Sequence, residues 1–267
     1  MSEQLDEEPA RPRLSLPISR QRLVELAIVV FGVMIALGLE NLVEEVRLRG
    51  DARKLEEAFR YDISSAIQYS WERQAVDKCL TDNLAALTER AMGEGGWDAA
   101  PAASEGSFAL ALPAPYRAPV RLWMTTSFDR ALGTEAFKRI PRERADAYAV
   151  LFASITSRRD GNVGEFDSTA RLAPLAFPMT GVDSEVRAEM LQALSELDRD
   201  RALAVLQAEQ FLIRAMSVPG GGDIRAGVLE QRDRYDETTL SLRAAYGECV
   251  DGSATDRLMR FASEDRP

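Results

Sequence analysis

The sequence predicts an all-α protein: a single N-terminal transmembrane helix continuing into a long helix, plus an antiparallel helical bundle of about four helices. Three observations predict it. Residues 23–43 read LVELAIVVFGVMIALGLENLV, an almost unbroken apolar run. Beyond them, apolar residues recur at three- and four-residue spacing, the period of helices that bury one face. With 267 residues, 46% hydrophobic and 28% charged, the chain has the makeup of a folded protein, long enough for one large domain or two small ones besides a membrane segment.

The uninterrupted apolar part, 26–39, is about 14 residues, short of the roughly 20 that cross a hydrocarbon core. Glu25 at one end, and Glu40 with Asn41 at the other, extend the span to about 20 residues, or about 30 Å, if they sit at headgroup depth. A buried helix of a soluble domain would keep a polar stripe, and 26–39 has none. A cleaved secretory signal is the other reading, since Arg20 and Arg22 precede the apolar core and Ala36-Leu37-Gly38 resembles a small-residue cleavage site. Against cleavage, no helix breaker separates the segment from the charged helix that follows.

Both readings export the rest of the chain. Arg11, Arg13, Arg20 and Arg22 before the segment balance Arg47, Arg49, Arg53 and Lys54 after it, so the positive-inside count is nearly even. A long downstream domain translocates largely regardless of charge. The expected topology is therefore an inner-membrane protein with a cytoplasmic tail (1–22), a transmembrane helix (23–43) and a periplasmic domain. Gly32 and Ala36, four residues apart on one face, would let another transmembrane helix approach closely.

Residues 44–92 predict a long membrane-proximal helix of about 50 residues, or about 75 Å. Leu55, Phe59, Ile63, Ile67 and Trp71 step by four, and Val76, Leu80, Leu84 and Leu87 continue the stripe after a small phase shift. Glu56, Glu57, Arg60, Glu72 and Arg73 fall on its other faces, and Gly93, Gly95 and Gly96 end it. Residues 93–122 form an Ala/Pro-rich crossover in which Pro113, Pro115 and Pro119 favour extended or turn backbone. The expectation is an ordered crossover with a short strand at 108–112; a flexible linker is the alternative.

Residues 123–250 are read as the helical bundle, completed by the 44–92 helix. Pro141 suits a helix start, followed by a stripe of Tyr148, Phe152, Ile155, Val163 and Phe166 with possible breaks at Gly161 and Gly164. Asp183 or Ser184 suits the cap of a helix carrying Val186, Met190, Leu194, Leu197, Val205, Leu212 and Met216. Leu203, Leu206, Phe211 and Ile213 widen that stripe, which predicts a central helix, ended by Pro219 and the glycines at 220–222. The last long helix places Val228, Tyr235, Leu242 and Cys249 seven apart, and 251–267 read as a C-terminal tail.

The chemistry is bounded mainly by exclusion. The chain has no histidine, which removes imidazole bases, histidine-dependent nucleophile systems and histidine-ligated zinc. Its two cysteines cannot form a thiolate zinc cage alone and lack CxxC spacing. Asp198/Asp200 and Asp233/Asp236 lie in Arg-rich helical runs and read as solvated faces. The Pro-Gly-Gly-Gly-Asp run at 219–223 lacks the strand and Lys-Ser/Thr of a phosphate loop. No catalytic, cofactor-binding or metal site is therefore expected. Net charge −10 and a pI near 4.8 argue against nucleic acid and against a polybasic hold on anionic lipid, so attachment to the bilayer would come from apolar insertion.

Cys79 lies beside the first helix's apolar stripe and Cys249 on the last helix's stripe. If both helices share one bundle in an oxidising periplasm, the thiols can meet in a disulfide closing a loop of about 170 residues. Two buried free cysteines acting as small apolar residues are the alternative.

The segment VVFGVMIALGLEN (29–41) followed by a charged helix, the patch Trp123-Met124-Thr125-Thr126-Ser127-Phe128-Asp129-Arg130-Ala131-Leu132, and then Ile140-Pro141 and Tyr148-Ala149-Val150-Leu151-Phe152 carry a resemblance. Together they resemble a family of uncharacterised bacterial single-pass envelope proteins over about residues 22–155, with Leu42 standing where many relatives carry Trp. The resemblance implies an anchored helical domain and brings no catalytic residues. In physical terms, Thr126 or Ser127 would cap a short helix while Trp123 and Phe128 pack into the bundle, a ligand or partner surface being the alternative.

These readings favour a non-catalytic accessory or scaffold subunit of a larger membrane protein complex. Its contacts would be the lipid bilayer and a membrane-protein partner or a second copy. A periplasmic ligand sensor signalling through a separate partner and a carboxylate-based envelope enzyme are the alternatives.

Overall fold

The computed structural model describes residues 20–101 and 115–264. Among them are seven α-helices, two single 3-10 turns and no strand: α1 (Arg20–Met92), α2 (Thr126–Ala131), α3 (Arg142–Ala170), α4 (Ser184–Met216), α5 (Gly222–Glu230), α6 (Arg232–Tyr246) and α7 (Ala254–Ser263). The chain divides into two compact units, residues 1–50 and residues 51–267.

In the first unit every side chain described from 23 to 44 is exposed. An 18-residue window here has mean hydropathy 2.3 and 0% of it is buried, so one helix is long and apolar enough to cross a membrane. Its apolar side chains have no protein cover. Arg47 with Glu44 (2.6 Å) and Arg49 with Glu45 (2.9 Å) mark the return to a charged surface. Most of the expected 1–22 tail lies outside the described residues.

In the second unit α1 supplies a large share of the core. Phe59, Ile63, Ile67, Trp71 and Val76 are fully buried, and Leu80, Leu84 and Leu87 nearly so. Phe59 is an aromatic hub, its ring centroid 5.3 Å from Tyr148, 5.5 Å from Phe152 and 5.6 Å from Phe128. Phe128 in turn stacks on Phe152 at 4.6 Å. Tilted and offset contacts of this kind suit the ring quadrupoles and fix how α2 and α3 lie on α1. α3 also packs on α4, where Ala193, Ala204, Ala208 and Ala215 are buried and allow close helix approach.

Several expectations are corrected. Where about four long helices were expected, the described residues hold seven, α1, α3 and α4 being long and the other four between 6 and 15 residues. α3 runs unbroken through Gly161 and Gly164, and Val163 and Phe166 are exposed. The buried face keeps the phase of Tyr148, Leu151, Phe152 and Ile155 and continues as Arg158, Asn162, Glu165 and Ser168. Leu203 and Leu206 are likewise exposed, so the buried stripe of α4 is narrower than expected, while α4 packs against α3, α5 and α7. Glu72 and Arg73 are buried rather than solvated, because α1 is covered on more than one side at this level.

The last long helix breaks at Gln231 into α5 and α6, and Cys249 follows α6 rather than lying on it. Gly247, with φ +92, makes the turn between them, a backbone region that a side chain disfavours. The expected tail at 251–267 contains α7, whose Ala254, Thr255, Leu258, Met259 and Ala262 are buried against α4, α5 and α6. Ten residues are too few for periodicity to stand out in a sequence, yet enough for one buried face.

The flanks of the crossover are packed. Trp97 and Met179 exchange two backbone hydrogen bonds of 2.8 Å, and the Ala100 N–H donates to Leu175 O at 2.8 Å. A Cβ on Gly96 would lie 1.9 Å from Met179 O, so this approach admits glycine alone. The strand expected at 108–112 lies outside the described residues. The end of α1 is closed by Arg187 of α4, which donates to Ala91 O (2.5 Å), Gly93 O and Gly95 O (3.0 Å). A guanidinium there satisfies helix carbonyls that have no partner of their own and meets the negative end of the dipole.

Candidate functional site

The structure joins Cys79 and Cys249 in a disulfide, with Cα atoms 5.1 Å apart and a sequence separation of 170. The next turn is also tied to α1, since the Asp251 N–H donates to Ala75 O at 2.8 Å. Asp251 then accepts from the Ser253 N–H and hydroxyl and from Arg257. Burial disfavours its charged form, but these donors outweigh that and hold its carboxyl below its usual range. Gly32 and Ala36 are both exposed, and a Cβ on Gly32 would meet nothing within 4 Å.

The patch that begins at Trp123 is built differently from its expected capping. α2 starts at Thr126, and the residue before it, Thr125, donates its hydroxyl to Asp129 Oδ2 (2.8 Å) instead of capping a backbone N–H. The Ser127 hydroxyl donates to the Asp62 carboxylate on α1. Trp123 and Phe128 are buried. Asp198, Asp233 and Asp236 are exposed, and Asp198 pairs with Arg201 on its own helix.

Sequence reasoning missed a set of charges inside the second unit. Arg73 of α1 donates from both terminal nitrogens to Glu165 of α3, at 3.0 and 2.5 Å, with side-chain exposures of only 3% and 7%. The Tyr116 hydroxyl donates to the same carboxylate at 3.2 Å. Burial works against Arg73's charge, but Glu165 and Tyr116 outweigh it and hold the guanidinium above its usual value. Burial first, and then the Glu165 charge, push the Tyr116 hydroxyl far up.

Beside them Arg121 grips buried Glu72 through Nε (2.7 Å) and Nη2. The Arg121 carbonyl accepts from Asn162 Nδ2 at 3.4 Å, which ties the crossover to α3. Arg158 is buried next to this network. It donates to Gln207 Oε1 at 3.2 Å and lies over the Trp123 ring, 5.7 Å from its centroid. Burial, and then the charge on Arg73, lower its pKa to about 10.

A signal for this network existed in the sequence. Arg158, Asn162, Glu165 and Ser168 extend the apolar period of Tyr148, Phe152 and Ile155 without a phase shift. Val163 and Phe166 are more hydrophobic but fall one residue off that phase, on the exposed side of the helix. Chemically, the network is an interior lock in which carboxylate and guanidinium groups satisfy one another. The surface groove between α1, α4 and α7 mixes Asp77, Lys78, Glu209, Asp251 and Arg257, so no one sign of charge dominates it. Among the described residues no three Cys, Asp or Glu side chains gather closely enough to hold a metal ion.

No protein-family model, curated protein or solved structure matches the chain.

Proposed function

We propose that the chain is a non-catalytic single-pass inner-membrane protein of the bacterial envelope, with its N-terminus cytoplasmic and a helical domain in the periplasm. In this reading the domain, with its long helices packed antiparallel, is an accessory or scaffold subunit of a larger membrane protein complex. The observation that carries it is the uncovered apolar window of α1, 0% of which is buried. Exposing that much apolar surface to water is costly, and lipid is the medium that removes the cost. The Cys79–Cys249 disulfide supports an oxidising compartment for the second unit. A helical domain held together by internal ion pairs between its helices suits a part that is docked on.

Two measurements test this. Alkaline-phosphatase and fluorescent-protein fusions at the C-terminus should report the periplasm, and a cytosolic report refutes the topology. Gentle solubilisation followed by cross-linking and mass spectrometry should recover a stoichiometric membrane-protein partner. A chain that runs alone as a monomer refutes the scaffold role.

A further inference from the structure

The groove between α1, α4 and α7 has a volume of about 310 Å³, and its walls are tied to one another. The Cys79–Cys249 disulfide and the bond from the Asp251 N–H to Ala75 O fasten the turn before α7 to α1. Arg201, whose side chain is only 13% exposed, fastens α4 to α1 through Asp77. A groove held in shape in this way loses little freedom when a ligand enters it.

Its charges are of both signs and differ in how far they are already satisfied. Asp77 is held by Arg201, and Asp251 by Arg257 at 2.6 Å. Glu209 of α4 has no ion pair or hydrogen bond among the described residues. Lys78 of α1 pairs with Asp82, which does not line the groove, and an ion pair as exposed as this one is worth little. The half-buried Gln74 amide makes no hydrogen bond among the described residues, and it can both donate and accept. Val205 and Phe261 add apolar surface.

The groove thus offers a free carboxylate on one wall and a loosely held ammonium on another. The carboxylates of Asp77, Glu209 and Asp251 are matched in number by Lys78, Arg257 and the neighbouring Arg201. A simple cation or anion would engage one end and upset that balance, whereas a dipolar molecule engages both ends and preserves it. The volume lies at the lower end for small-molecule sites, so the ligand is small. We propose that this groove binds an α-amino acid with an apolar side chain. Its ammonium meets Glu209, its carboxylate meets Lys78, and its side chain lies against Val205 and Phe261. This goes beyond the scaffold reading and depends neither on the membrane topology nor on a protein partner.

The test is calorimetric titration of the full chain in a neutral detergent, with L-leucine and L-phenylalanine as probes. At least one should bind saturably, and at about a hundredfold excess over Kd it should raise Tm by about 5 °C or more. Isoamylamine and isocaproate keep the leucine side chain with one charged group each, and both should bind about tenfold or more weakly than leucine where leucine binds. Glu209→Gln and Lys78→Met should each weaken amino-acid binding by about tenfold or more. Both residues are exposed, so without ligand the variants should melt as wild type does. The proposal is overturned if neither amino acid binds saturably, or if the amine or the acid alone binds as tightly as leucine. It is equally overturned if Glu209→Gln keeps wild-type affinity. None of these outcomes bears on the topology or the scaffold role, which the fusions and cross-linking test separately.

Discussion

The two parts of α1 spend their apolar residues in opposite ways. From 23 to 43 nearly every position is apolar and every side chain is exposed, while from 55 to 87 the apolar positions form a stripe that is almost wholly buried. An apolar surface without a preferred face matches a surrounding that is itself apolar on all sides, and a stripe matches a protein core on one side with water on the other. The second unit adds what the first has no means to do. It buries Arg73, Glu72, Glu165 and Arg158, because neighbouring helices there supply partners that a lone helix lacks.

The largest effect expected in breaking this contrast is at the disulfide. The double variant Cys79→Ala/Cys249→Ala frees a loop of 170 residues and should cost up to roughly 5 kcal/mol by the chain-entropy argument. A thermal melt should show a drop of about 10–20 °C, with reductant giving the same result in wild type.

Glu165→Gln comes next, at about 3–5 kcal/mol in a urea melt, because it strands Arg73 in the interior beside Arg158. The matched swap Asp82→Asn, in the exposed pair with Lys78 (side-chain exposures 54% and 67%), should change stability by less than about 0.5 kcal/mol. Equal losses from the two swaps would show that burial is not what makes the interior pair matter.

In the first unit, Ile35→Arg should weaken insertion by about 3 kcal/mol, read as a shift out of the membrane fraction, with the melting of the helical domain unchanged. Unchanged fractionation would remove lipid as the surrounding of this stretch. A smaller loss is expected of Arg187→Ala, about 2 kcal/mol, accompanied by faster amide exchange in the last turn of α1 as its carbonyls lose their donor.

How far the sequence could be read varied by region for physical reasons. The stripe through Phe59, Ile63, Ile67 and Trp71 was legible because long helices repeat their pattern often enough to average out exceptions. α7 was not, because ten residues hold fewer than three turns. The fraying of α3's reading at Val163 shows a different limit. A hydrophobicity pattern follows the greasiest residue, whereas a helix follows its own phase, and here that phase carried Arg158 and Glu165 inward. Nothing local to Glu72 or Arg73 distinguishes them from Glu56 or Arg60 on the same helix.

Local order therefore settled where the chain is helical and which stretch is apolar on all sides, since both depend on spacing along a few turns and on composition. Which charges went inside, which loop met Cys79 and which side of α1 was covered twice depended on contacts between segments far apart in the chain. Burying a charge is favourable only when its partner is already in place, and that partner is supplied by another helix.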